Sequence, residues 1–101
     1  MFVGWLRSWW RPRRLQAVQV VMYTRQGCHL CEDAWRVLQE EQRRHGFQLQ
    51  AVDVDADPEL AARYGLCVPV VTVDGQVRFR GALNRVLLAR LLRRQGRGSR
   101  S

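Results

Sequence analysis

Lysine is absent from this 101-residue chain, and all 17 basic residues are arginine. That pattern reads as coding bias rather than functional design. Acids are absent from both ends. Residues 1–17 hold Arg7, Arg11, Arg13 and Arg14 with no acid, and residues 90–101 hold Arg90, Arg93, Arg94, Arg97 and Arg100 with none. The body between them, 18–89, has eight arginines against nine acids. The formal charge of +8 therefore belongs to the ends. A nearly neutral body argues against a nucleic-acid-binding domain, which would carry its basic patch on the fold itself. Cysteine is scarce, and its odd count of three excludes a secreted disulfide scaffold. Long apolar runs are missing too: none reaches the roughly 18 residues of a membrane span. The start, MFVGWLRSWWRPRRL, has no apolar stretch after a basic one and makes a poor signal peptide. The expectation is a cytoplasmic protein with reduced thiols, where a CxxC is catalytic or metal-binding rather than structural.

What is present fits one globular α/β domain, with 47% hydrophobic residues and no internal repeat. Ala17–Tyr23 is a β-branched run that predicts a buried central strand, ended by a loop at Arg25-Gln26-Gly27. Residues 28–45 change to helical period, with Leu30, Ala34, Val37 and Leu38 on one face. Acids open this helix, Arg43, Arg44 and His45 close it, and Gly46 stops it, in agreement with the helix dipole. Phe47–Val54 predicts a second strand with Asp53 and Asp55 on its outer face, which argues against a metal cluster there. Asp57-Pro58 then caps a short helix that ends at Gly65. Val70–Val73 and Gln76–Arg80 flank Asp74-Gly75, a strong hairpin signal. Leu83, Val86, Leu87 and Leu91 predict the apolar stripe of a last helix that begins near Asn84. The order β-α-β-α-β-β-α predicts a four-stranded mixed sheet with helices on both faces, its first βαβ unit a right-handed crossover. The expected organisation is an arm over 1–16, a domain over 17–95 and a disordered tail over 96–101.

Chemistry concentrates in Tyr23-Thr24-Arg25-Gln26-Gly27-Cys28-His29-Leu30-Cys31. Cys28 falls where a strand's loop meets a helix N-terminus, and the free N–H groups and dipole there favour a thiolate. Cys28 is thus the expected nucleophile, and Cys31, one turn on, the thiol that resolves a mixed disulfide. His29 and Arg25 would add positive charge beside the thiolate, and Arg25 would also meet an anionic substrate. Cys67 reads as a small buried residue or as a third thiol near the pair. Trp35 reads as a packing residue. Two other uses stay open. The cysteines could hold zinc or an iron–sulfur cluster with Cys67 or His29, or the chain could be a non-catalytic interaction domain.

With Val68-Pro69 and the Asp74-Gly75 hairpin, this motif resembles the glutaredoxin-like members of the thioredoxin superfamily, over about Val18 to Leu92. The resemblance implies a thioredoxin-like fold and thiol–disulfide oxidoreductase activity on protein disulfides or glutathione mixed disulfides. It implies no bound cofactor, with glutathione as a co-substrate. It also implies that Pro69 is cis and packs its loop against the CxxC, that Val68 offers its backbone to an extended substrate, and that Cys67 lies near the site. Arg25 matches the family's basic residue for glutathione's glycyl carboxylate, and Gly81 the first glycine of its γ-glutamyl site. The chain departs from the pattern elsewhere. No acid stands on the first strand, His29-Leu30 replaces the Pro-Tyr of glutaredoxins, and Arg80-Gly81-Ala82-Leu83-Asn84 lacks the second glycine and the acid.

At the N-terminus, Trp5, Trp9 and Trp10 alternate with arginines; the first expectation is an extension that packs a tryptophan on the domain or stays disordered, and the second is weak contact with an anionic membrane surface. Stacking on nucleic acid is the less favoured use. Pro12 interrupts any single long amphipathic helix in this arm.

Overall fold

The computed structural model describes residues 17–98. The arm at 1–16 and the end of the expected tail, 99–101, lie outside the described residues. The elements are β1 (Gln19–Thr24), α1 (His29–His45), β2 (Gln48–Asp53), a 3-10 turn (Val54–Ala56), α2 (Pro58–Tyr64), β3 (Val70–Val73), β4 (Gln76–Arg80) and α3 (Arg85–Gly98). The sheet order is β2-β1-β3-β4. β1 pairs with β2 in parallel and with β3 antiparallel, and β3 pairs with β4 antiparallel.

The two sheet faces follow from strand alternation. Val20 pairs with Val73 and Met22 with Val71. These four meet Cys31, Ala34 and Leu38 of α1 and Leu88 and Leu92 of α3 in the main core. Tyr23 and Val70 pair facing the other way, and the Tyr23 ring centroid lies 4.7 Å from that of Tyr64 on α2. Helices therefore cover both faces, α1 and α3 on one and α2 on the other. The hairpin turn takes Asp74 at φ 51° and Gly75 at φ 83°. Two successive left-handed residues are what a tight two-residue hairpin needs.

Three expectations need correcting. On α1 the buried stripe is Cys31, Ala34, Leu38 and Glu41, while Leu30 is 48% exposed. Because the helix opens with Cys28 as its cap, Cys31 rather than Leu30 faces the sheet. On α3 the buried residues are Leu88 and Leu92, while Val86 and Leu87 stand in solvent. Asn84 caps α3 by accepting the Leu87 N–H at 3.0 Å. Arg85 reaches Glu40 at 2.5 Å and Glu41 at 3.5 Å. These contacts fix a rotation that the surplus of apolar residues leaves open. Thirdly, α3 continues to Gly98, so 96–98 are helical rather than part of a disordered tail.

Glu41 is buried to 1% exposure, and its carboxylate joins α1 to α3. Besides Arg85, Arg44 lies 3.7 Å from Oε2, and His45 Nε2 lies 3.3 Å from Oε1 without the alignment of a hydrogen bond. A buried carboxylate held between two arginines and a histidine fixes how the helices pack.

The stripe assignment predicts unequal costs. Leu38, fully buried, should lose about 2–5 kcal/mol on truncation to alanine. Leu30→Ala should change stability by only about 0.5 kcal/mol. Chemical denaturation of the two variants checks this.

Candidate redox site

Cys28 is the N-cap of α1, with φ −104° and ψ 106°. Its Sγ accepts the Cys31 N–H at 3.1 Å, and its carbonyl accepts the Glu32 N–H at 3.1 Å. The sulfur thus occupies the place where a helix start offers unpaired N–H groups. Cys28 and Cys31 are joined as a disulfide. Their environments differ: Cys28 is half-buried, and Cys31 is only 2% exposed against the core. Only one sulfur is open to a reacting partner.

An open cleft of about 370 Å³ runs beside the disulfide. Met22, Trp35, Ala51 and the two cysteines form its apolar part, with Arg25 and Glu32 among its polar lining. Trp35, expected only to pack, is half-buried and is a wall of this cleft.

Arg25 is committed within the fold. Its Nε and Nη2 donate to the two carboxylate oxygens of Asp55 at 3.0 and 2.9 Å, and its Nη1 donates to the Gly65 carbonyl at 2.9 Å. Three of its five N–H donors are taken. The side-chain hydrogen bond from Arg25 holds the Asp55 carboxyl below its ordinary range, and the same bond raises the guanidinium pKa. Asp55 is not on the outer face of β2, as alternation suggested. The strand ends at Asp53, whose side chain accepts the Asp55 N–H at 2.9 Å and starts the turn that swings Asp55 towards Arg25. Gly65 permits this approach: a Cβ there would stand 2.8 Å from Arg25 Nη2 and 2.5 Å from the Ala61 carbonyl oxygen. Sequence reasoning missed this pair. The one signal was an Asp just past a strand that runs parallel to the strand carrying Arg25.

The remaining expected residues form a second group. The Val68–Pro69 peptide bond is cis. Val70 pairs with Tyr23, so Pro69 lies at the strand end that carries the cysteine loop. Val68 and Cys28 both pack against the main core. The Gly81 N–H donates to the Pro69 carbonyl at 2.8 Å and to the Cys67 carbonyl at 3.2 Å, tying β4's end to this loop. Cys67 is half-buried with a free thiol, rather than fully buried. The His29 side chain is 96% exposed, with Nδ1 3.9 Å from Glu32 Oε1, and it does not line the cleft. Among the described residues, no group of three or more His, Cys, Asp or Glu side chains is arranged to hold a metal ion.

A mixed sheet with a CxxC disulfide opening its first helix defines the thioredoxin-like class. A mutant thioredoxin from Halobacterium salinarum shares the fold, with a TM-score of 0.62 and 22% identity over 80% of this chain and 76% of that one. The chain belongs to the glutaredoxin-like domain family (DUF836), whose family model matches residues 19–93. It is 34% identical over 71 residues to a Methanothermobacter thermautotrophicus protein named "Probable Thioredoxin", covering 67% of this chain and 84% of that one. A Xanthomonas campestris protein, known from its X-ray structure (X. campestris target XcR50), is 32% identical with a TM-score of 0.60, covering 74% of this chain and 96% of that one. Family membership and the Cys28–Cys31 pair fit a redox role.

The Arg25–Asp55 pair generates a titration prediction. Asp55 has a depressed folded pKa, so its contribution to stability is present above the unfolded value of about 3.9 and is lost as pH falls through the folded value. Arg25→Ala should return the Asp55 carboxyl towards its ordinary pKa, read by NMR titration. Because both side chains are substantially exposed, the stability change should be small.

Proposed function

We propose that the protein is a thiol–disulfide oxidoreductase acting on protein disulfides, with Cys28 as nucleophile and Cys31 as resolving thiol. The observation that carries this reading is the asymmetry of the pair. Cys28 is half-buried at the helix N-cap with its Sγ accepting the Cys31 N–H, whereas Cys31 is only 2% exposed against the core. A helix start lowers a thiol pKa from about 8.5 into a range of about 3.5–7.5, which makes Cys28 the better thiolate.

In the reduced state, the Cys28 thiolate attacks one sulfur of the substrate disulfide. A Cys28–substrate disulfide forms, the substrate's own S–S bond breaks, and its other sulfur leaves as thiolate and takes a proton. Cys31 then loses its proton and attacks Cys28 Sγ. The Cys28–Cys31 bond forms, and the second substrate sulfur departs as thiolate. The substrate has gained two electrons and the enzyme has lost two. A dithiol or glutathione reductant returns them by exchange at Cys28, the exposed sulfur.

A protein substrate is favoured over glutathione on two grounds. Exposed Leu30 and fully solvent-exposed Leu66 offer apolar contact beyond the needs of a tripeptide. Arg25, the residue expected to meet glutathione's carboxylate, is already paired with Asp55. Val68 would present its backbone to the substrate chain beside Pro69, and Gly81 would hold that loop in place. A reducing cytoplasm is the compartment in which this cycle runs as a reductase.

Reduction of a model protein disulfide tests the roles. Cys28→Ser should fall to the uncatalysed background. Cys31→Ser should accumulate a mixed disulfide on Cys28, seen by intact mass. Equal residual activity in the two variants would remove the assignment.

A further inference from the structure

We infer that the end of the molecule opposite the cysteine pair is a docking surface for an anionic lipid bilayer, with the redox site held away from it. The inference does not depend on the redox chemistry. It begins at Asp74 in the hairpin. Its Oδ1 accepts the Gln19 N–H at 2.9 Å, its own N–H donates to the Gln19 carbonyl at 2.8 Å, and its Oδ2 accepts from Gln95 Nε2 at 3.1 Å. The start of β1 and the late turns of α3 therefore meet on one side chain. The turn after α1 joins them, since the Gln48 N–H donates to the Val18 carbonyl at 2.9 Å.

This convergence gathers basic segments that are far apart in sequence. Arg93 and Arg94, just before Gln95, are exposed on α3, with Arg90 one turn earlier. Arg43 and Arg44 are exposed in the last turn of α1. No acid follows Asp74 in the sequence, and none precedes Glu32. At the other end stand the acids Glu32, Asp33, Asp53 and Asp55, with Asp33 paired to Arg36 and Asp55 to Arg25. The six residues of β1 put about 20 Å between the two ends. The exposed arginines gathered at this end, away from the cysteines, form a basic patch, and such a patch orients a protein on an anionic surface.

The company these arginines keep points to lipid rather than nucleic acid. Val86 and Leu87 are exposed on the helix that carries Arg90, Arg93 and Arg94, at 65% and 47%. Cations with large apolar residues suit the headgroup boundary, where each arginine contributes through the surface potential and the apolar groups enter the interface.

The test is flotation of the full chain with vesicles of phosphatidylcholine alone and of phosphatidylcholine mixed with phosphatidylglycerol. Binding should require phosphatidylglycerol and weaken with salt. The Arg90→Gln, Arg93→Gln, Arg94→Gln triple variant should bind about 100-fold more weakly, at about fivefold per arginine. Circular dichroism confirms folding, and disulfide reduction in solution should be unchanged in the variant. Vesicle-bound protein should react at Cys28 with a soluble thiol reagent as fast as free protein. Binding to phosphatidylcholine alone, an α3 triple variant that binds normally, protection of Cys28 on vesicles, or displacement from vesicles by duplex DNA at lower concentration than by anionic lipid would each overturn the inference.

Discussion

β1 is hydrogen-bonded along both edges, to β2 in parallel and to β3 antiparallel, and the geometry of the redox end depends on where that strand stops. Its last residue, Thr24, pairs with Asp53, so β1 and β2 end level. The chain leaving β1 turns through Gly27 to cap α1 with Cys28, and the chain leaving β2 turns through Asp53 to bring Asp55 to Arg25. β3 begins at the same level, which places the Val68–Pro69 loop alongside. Three loops from distant parts of the sequence thus share one strand end because a single strand holds both neighbours in register.

Much of this was legible in the sequence because local chemistry and global fold agree. The dipole-matched ends of α1, Asp57-Pro58 before α2 and the Asp74-Gly75 turn each state their element in a few residues. The CxxC was legible as a site because its position between strand and helix could be read. Helix rotation was harder. On α3, Val86, Leu87, Leu88, Leu91 and Leu92 supply more apolar residues than one face can bury. The choice is settled by Arg85 reaching across to Glu40 and Glu41, a contact 44 to 45 residues long that no periodicity contains. Glu41 itself sits at a core position of α1, where a charge contradicts the pattern until Arg44, His45 and Arg85 are in place around it.

Arg25 shows how structure refines an expected binding residue. Its spacing from Cys28 suggested a cation waiting for an anionic substrate. In the fold it is the clasp between the cysteine loop, the turn after β2 and the end of α2. A clasp at this place ties down the loop that carries Cys28, beside a cleft whose apolar wall includes Met22 and Trp35.

The central claim is that Cys28 and Cys31 form a reversible redox couple. Its most direct test equilibrates the protein across glutathione buffers, traps free thiols and maps each cysteine by mass. The account predicts one two-electron transition that joins Cys28 to Cys31, leaves Cys67 free, and falls between about −270 and −120 mV, the span from reducing to oxidising members of the superfamily. A pair that never oxidises, or a disulfide that takes Cys67 in place of either partner, would contradict it.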